Sequence, residues 1–132
     1  MTITPTKTLS VSIERKANEV YEFILNPENL PQWAPAFGQS IKKSDGEWVV
    51  ETSDGPMIIR FVERNKLGVL DHYVTISTGQ EILNPMRVIP NGSGSEVMFT
   101  LFQSTEISDE KFAEDAKLVE SDLKTLKDKL ET

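Results

Sequence analysis

The chain has 132 residues, of which 38% are hydrophobic, and this size fits one domain, residues 1–132, with a substantial core. Its formal net charge of -7 at pH 7 disfavours nucleic-acid binding through a broad basic surface. The absence of cysteine excludes disulfides and thiolate chemistry, and a single histidine excludes a histidine-rich metal site.

Targeting and cofactor motifs are not found in the sequence. The N-terminal residues lack a basic region followed by an apolar run, and no stretch approaches the ~20 apolar residues that cross a bilayer. Gly92-Ser93-Gly94 is not a dinucleotide-binding fingerprint, because no third glycine follows and no helix is predicted there. We therefore expect a cytoplasmic protein without membrane insertion, metal or cofactor.

The first third of the chain predicts one strand and two short helices. Residues 8–14 alternate between polar and apolar side chains, which indicates a half-buried strand. Residues 17–25 carry Val20, Phe23 and Ile24 at helical spacing, and Asn26-Pro27 ends this helix. A second helical turn is predicted over residues 29–33.

The middle of the chain predicts six further strands joined by short turns. These strands cover residues 37–43, 48–52, 57–63, 69–77, 81–89 and 96–104. Short connections favour an antiparallel meander, and we expect the first strand to pair with the end of that meander. Pro85 interrupts the strand over residues 81–89, which indicates a bulge or an edge position.

A long amphipathic helix is predicted after Ser108, whose side chain suits an N-terminal cap. The apolar residues of this helix form one stripe, which consists of Phe112, Ala116, Val119, Leu123, Leu126 and Leu130. The opposite, solvent-facing side is predicted to carry Glu114, Lys117, Asp122, Lys124 and Lys127. A single striped helix cannot bury itself, so we expect it to cover the strands. A long helix over a curved sheet leaves a cavity, and a cavity suggests a ligand.

The order of these elements, together with residues 17–33, resembles the START-like (SRPBCC) superfamily. Within it the chain is most similar to polyketide cyclase/dehydrase-like and uncharacterised bacterial members. The resemblance implies an α+β helix-grip fold, in which a curved antiparallel sheet of about seven strands wraps around the C-terminal helix and two short helices follow the first strand. It does not fix an activity, because the superfamily contains lipid carriers, cyclases, hormone receptors, quinone-binding proteins and chaperone activators.

His72 is the first candidate for chemistry. Alternation along residues 69–77 places Leu70, His72 and Val74 on one face, which we expect to meet the final helix. An imidazole there, with a reference pKa near ~6.5, has the properties of a general base or acid. The alternative is a neutral core histidine that is hydrogen-bonded to a neighbour.

The next strand offers a second polar group for the cavity. Asn84 lies on the cavity side if this strand pairs with that of His72 through the Thr78-Gly79-Gln80 turn. A bulge at Pro85 would instead bring Arg87 inward, where its guanidinium could clamp an anion or a carbonyl. The sequence leaves the two arrangements open.

The candidate ligand-binding residues are mainly apolar, aromatic or Met side chains, which suit a pocket for flat or flexible apolar molecules. They are Trp33, Phe37, Met57, Phe61, Leu70, His72, Val74, Asn84, Met86, Arg87, Phe99, Phe112, Ala116 and Val119.

Three functions are compatible with this pattern. The leading hypothesis is binding of a small hydrophobic or aromatic ligand of the lipid, polyketide or quinone-like kind. The second is a cyclase/dehydratase-type enzyme in which His72 is the general base or acid and Asn84 or an arginine stabilises an enolate oxygen. The third is a chaperone-activator-like protein interaction module. The sequence leaves open whether the protein is a monomer or a homodimer.

Overall fold

The computed structural model describes residues 3–132. Within them lie eight strands: β1 (Thr6–Ile13), β2 (Ser40–Ser44), β3 (Glu47–Thr52), β4 (Gly55–Phe61), β5 (His72–Thr75), β6 (Glu81–Asn84), β7 (Met86–Asn91) and β8 (Gly94–Phe102). The helices are α1 (Ala17–Leu25), α2 (Leu30–Trp33) and α3 (Asp109–Glu131), and one 3-10 turn, Pro27–Asn29, separates α1 from α2.

The strands form two antiparallel sheets. One has three strands in the order β1-β8-β7, and the other has five in the order β2-β3-β4-β5-β6. β1 pairs with β8 along its whole length, from Thr6 opposite Phe102 to Ile13 opposite Ser95. The predicted pairing of the first strand with the end of the meander is therefore confirmed. With short helices after β1 and a long helix at the C-terminus, the architecture is the expected α+β helix-grip fold.

Pro85 explains why the strand predicted over residues 81–89 is two strands. Proline has no N–H for the ladder, so β6 ends before it and β7 begins after it in the other sheet. The N–H of Met86 donates to Asp71 Oδ1 at 2.8 Å, and the carbonyl of Pro85 accepts from the N–H of Thr100 at 3.0 Å. The break thus leaves the neighbouring backbone groups hydrogen-bonded and carries the chain from one sheet to the other.

Two other predicted strands are shorter than expected. Residues 37–39 do not join β2, because the N–H groups of Phe37 and Gly38 both donate to the carbonyl of Ala34 in a turn. The strand predicted over residues 69–77 is ladder-paired only at His72–Thr75, and Val69 makes an isolated bridge to Arg87. Both departures lie where the chain enters or leaves a sheet.

Ser108 caps the N-terminus of α3 as predicted, because its hydroxyl oxygen accepts a hydrogen bond from the N–H of Lys111 at 3.1 Å. Its buried residues include Ala116, Leu123 and Leu126 from the predicted stripe. Asp122 was expected on the solvent-facing side, and this prediction was wrong, since only 5% of its surface is exposed. None of the helices within residues 3–132 combines the length and apolarity needed to cross a bilayer.

Candidate functional site

A cavity of about 480 Å³ lies between the five-stranded sheet, β8, α2 and α3. Its walls are mainly apolar and include Met57, Ile59, Val74, Ile82, Phe99 and Val119. The volume falls within the ~300–1,000 Å³ that is typical of small-molecule sites. The cavity arises where the long helix and the sheet do not meet closely enough to be filled by side chains.

The cavity meets α3 along a line that differs from the predicted apolar stripe. The helix residues that line it include Lys111, Asp115, Leu118 and Asp122, in addition to Val119 and Leu123. Residues 111, 115, 118 and 122 are spaced by four, three and four positions and therefore share one side of the helix. The helix thus presents acidic groups as well as apolar ones to the cavity.

The structure separates the fourteen candidate residues into two groups. Those that line the cavity are Trp33, Phe37, Met57, His72, Val74, Asn84, Phe99 and Val119. Those that do not are Phe61, Leu70, Met86, Arg87, Phe112 and Ala116.

The second group has separate physical reasons for lying outside the cavity. Leu70 and Met86 are fully buried in the core near the crossing between the sheets, and Phe61 packs on the ring of His72. Arg87 is exposed and donates to the carbonyl of Leu67 at 3.0 Å, so the arrangement that placed its guanidinium inward is wrong. Phe112 and Ala116 lie on the side of α3 next to the one that the cavity meets, and do not line it.

His72 is buried and its ring is held by two aromatic neighbours. The ring centroid lies 5.0 Å from that of Phe61 and 5.6 Å from that of Phe99. Nδ1 lies 3.0 Å from the carbonyl oxygen of Leu70, and because a carbonyl only accepts, Nδ1 carries the proton. Burial lowers the pKa of His72, against the opposing effects of the Leu70 carbonyl and the charge of Asp71. The imidazole is therefore neutral at pH 7, and Nε2 is a hydrogen-bond acceptor.

Asn84 stands directly opposite His72 in the antiparallel pairing of β5 and β6. Both residues line the cavity. Within residues 3–132, neither the side-chain amide of Asn84 nor Nε2 of His72 makes a hydrogen bond to another residue. The β5–β6 wall therefore presents a neighbouring donor and acceptor to the cavity, which matches one of the two arrangements that the sequence left open.

Trp33 lines the cavity and is almost completely buried. The residue is 4% exposed, and its indole Nε1 has no hydrogen-bond partner within residues 3–132. A buried N–H without a partner costs roughly 1–3 kcal/mol. α2 positions another part of this side chain against the cavity, whereas Nε1 itself is covered by protein atoms.

Asp122 links α3 to the segment that follows α2. Its carboxylate oxygens accept hydrogen bonds from the N–H groups of Ala36, at 2.9 Å, and Phe37, at 3.1 Å. Burial raises the pKa of Asp122 to about 6, and the two backbone N–H groups act in the opposite direction. The sequence contains an indication that Asp122 faces inward, because it lies three residues after Val119 and four before Leu126, which is the spacing of residues on one side of a helix.

Charged residues surround one edge of the cavity. Lys111 Nζ lies 3.2 Å from Asp115 Oδ1 and 3.9 Å from Asp54 Oδ2, so it connects α3 to the β3–β4 turn. The hydrogen bond to Asp115, followed by its charge, raises the pKa of Lys111. These side chains are largely exposed, so the ion pairs add little stability. The charge of Lys111 is therefore already neutralised by the carboxylates of Asp54 and Asp115.

Comparison with known proteins identifies the fold. No family model and no curated protein matches the sequence. XoxI from Bacillus cereus is similar in structure, with a TM-score of 0.74 and 23% identity over 93% of each chain. The Aha1 dimer from Colwellia psychrerythraea has a TM-score of 0.75 and 15% identity over 96% of each chain. The di-domain ARO/CYC BexL from the BE-7585A biosynthetic pathway has a TM-score of 0.72 and 15% identity over 96% of this chain and 46% of BexL.

These likenesses agree with the fold that the START-like resemblance implied. At such identities they establish the architecture and not the activity. The function has to be argued from the cavity itself.

Proposed function

We propose that this protein binds a small hydrophobic or aromatic molecule in the cavity between the sheets and α3. The observation that carries the proposal is a mainly apolar cavity of about 480 Å³ whose wall also holds the polar side chains of His72 and Asn84. Apolar walls favour an apolar ligand, and a few polar side chains in such a wall can orient it.

The walls suit flat or flexible ligands. Phe37, Met57 and Phe99 supply aromatic faces and an adaptable thioether. Lipids, polyketides and quinones are the classes to test, and the fold shared with BexL, an ARO/CYC protein of a biosynthetic pathway, supports including polyketides.

A thermal-shift screen of the purified protein against aromatic polyketides, quinones, sterols and fatty acids tests the proposal. A ligand at about one hundred times its Kd adds roughly 2.7 kcal/mol to the free energy of unfolding and raises Tm by several degrees. We expect a reproducible shift for at least one class. The proposal fails if no class shifts Tm.

A cyclase/dehydratase-type enzyme is the second candidate, and the observation that favours it is the His72–Asn84 pair. Nε2 of His72 would take a proton from the carbon alpha to a carbonyl, and the amide N–H of Asn84 would hydrogen-bond the enolate oxygen. Loss of a general base typically lowers the rate by 10²–10⁴-fold. We expect His72→Ala to lower the turnover of a ligand found in the screen by about this factor. Unchanged turnover in that variant would remove His72 from the mechanism.

A further inference from the structure

We propose that the ligand is an uncharged apolar molecule with a hydroxyl group, which His72 and Asn84 bind together at the β5–β6 wall. The inference rests on the proposed binding function and narrows its ligand class. It follows from the position, the hydrogen-bonding capacity and the charge of the polar groups that line the cavity.

The position of the two residues lets them reach a single group. His72 and Asn84 face each other across β5 and β6, and directly opposed residues have Cβ atoms roughly 4.5–5.5 Å apart. Both line the cavity, so their side chains lie on the same face of the sheet. A ligand atom that contacts one is therefore within reach of the other.

The hydrogen-bonding capacity of the pair matches a hydroxyl. Nδ1 of His72 donates to the carbonyl of Leu70, which leaves Nε2 as an acceptor that needs a donor from the ligand. The amide of Asn84 supplies an N–H that needs an acceptor. A hydroxyl donates and accepts through one oxygen. A ketone at this wall would leave Nε2 unpaired, and a hydrocarbon would leave both groups unpaired.

The charges around the cavity disfavour an anionic ligand. The imidazole of His72 is neutral because it is buried, and Asn84 carries no charge. Asp122 adds a buried carboxylate to the wall, and Asp115 adds a second acidic group. The cation that lines the cavity, Lys111, already contacts two carboxylates. A ligand carboxylate would therefore lose its hydration without gaining a free cation.

Three probes with the same ring system separate these properties: naphthalene, 2-naphthol and 2-naphthoate, each titrated calorimetrically at pH 7.5. A phenolic hydroxyl ionises near pH ~10 and stays neutral under these conditions. We expect wild-type protein to bind 2-naphthol about tenfold more tightly than naphthalene, the order that two net hydrogen bonds produce. We expect 2-naphthoate to bind more weakly than either.

Two variants test whether the pair produces the preference. Asn84→Leu and His72→Leu should each reduce the preference for 2-naphthol while naphthalene affinity changes less than about threefold. Thr75→Val removes a hydroxyl from the other face of β5 and should keep the preference. Asn84 is half-buried and loses no internal hydrogen bond on substitution, so Asn84→Leu provides the test even where His72→Leu does not fold.

The outcomes distinguish the inference from the proposed function. If wild-type protein binds naphthalene and 2-naphthol equally, or binds 2-naphthoate most tightly, the inference is wrong while binding in the cavity stands. Retention of the full preference in both folded leucine variants, or in Asn84→Leu where it alone folds, also overturns the inference. If wild-type protein binds none of the three probes, the inference is wrong, and binding of flat aromatic molecules in this cavity is contradicted as well.

Discussion

Asp122 of α3 accepts a hydrogen bond from the backbone N–H of Phe37, with 3.1 Å between nitrogen and oxygen. The contact joins residues 85 positions apart and ties the last helix to the segment after α2. Phe37 lines the cavity, so the same contact fixes one part of its wall. Because Asp122 is a buried carboxylate, we expect this connection to respond to pH.

The first prediction concerns the pH dependence of stability. The pKa of Asp122 is about 6 in the folded protein, above the ordinary value of 3.8, chiefly because the carboxyl is buried. The folded state therefore binds this proton more tightly than the unfolded state, and the resulting stability is present below about pH 4 and is lost as pH rises through about 6. After allowing for solvent that reaches the carboxyl through the cavity, we expect a change of ~1–2 kcal/mol.

The measurement is urea unfolding of wild-type protein and Asp122→Asn at several pH values between 4 and 7.5. Taking the difference between the two proteins removes the contributions of other carboxylates. The stability of wild type relative to Asp122→Asn should fall as pH rises. A difference that stays constant over this range would contradict the assignment of a raised pKa to Asp122.

The second prediction concerns the protonation state of His72. Because burial lowers its pKa, the ring should remain neutral below the pH at which an exposed histidine titrates. Because Nδ1 donates to Leu70, the proton should reside on Nδ1. Nitrogen NMR of ¹⁵N-histidine-labelled protein reports both properties directly for this single histidine. A proton on Nε2, or a pKa at or above the ordinary value, would refute the arrangement that the hydroxyl-binding inference requires.

Gly68 provides the third prediction. Its φ is 72°, and a Cβ placed there would lie 2.1 Å from the carbonyl oxygen of Val88. Gly68→Ala should therefore destabilise the protein by more than ~2 kcal/mol, from backbone strain and from the clash. Gly79→Ala is the matched control, because φ is 89° there and no atom lies within 4 Å of the added Cβ. Equal midpoints for the two variants in urea unfolding would argue against the close approach at Gly68.

The fourth prediction concerns the start of α3. Ser108→Ala removes the acceptor of the Lys111 N–H and should destabilise the protein by ~1 kcal/mol. Ser121→Ala, at an exposed position inside the same helix, should change stability by less than ~0.5 kcal/mol. Thermal unfolding of both variants provides the comparison, and a loss at Ser121→Ala as large as that at Ser108→Ala would contradict the capping role.

The sequence predicted what depends on repeating patterns and missed what depends on single contacts. The spacing of Leu123 and Leu126 was enough to predict a buried helical stripe, and alternation around His72 was enough to place its side chain inward. Asp122 was misassigned because a charged residue at the edge of a stripe resembles a solvent-facing one. Its burial depends on two N–H groups at residues 36 and 37, distant in sequence.

The side chain that faces the cavity near Pro85 also depends on a single local feature and could not be predicted from a repeating pattern. Whether Asn84 or Arg87 faces the cavity depends on the backbone conformation at Pro85. The alternation of side chains along residues 81–89 is compatible with either arrangement. In the structure the chain changes sheets at this point, so residues 84 and 87 belong to different sheets and Arg87 turns to the carbonyl of Leu67. The alternation of polar and apolar residues along one segment does not indicate that the chain moves from one sheet to another.

Blocking the cavity tests the central claim most directly. Val119→Trp introduces an indole from α3 into the cavity, Met57→Trp does so from the sheet, and Ala113→Trp places the same side chain on the exposed face of α3 as a control. Calorimetric titration with 2-naphthol, on variants whose circular dichroism matches that of wild type, should show binding by wild type and Ala113→Trp and at least tenfold weaker binding by the two cavity variants. Equal affinity in all four proteins would place the ligand elsewhere and contradict the account.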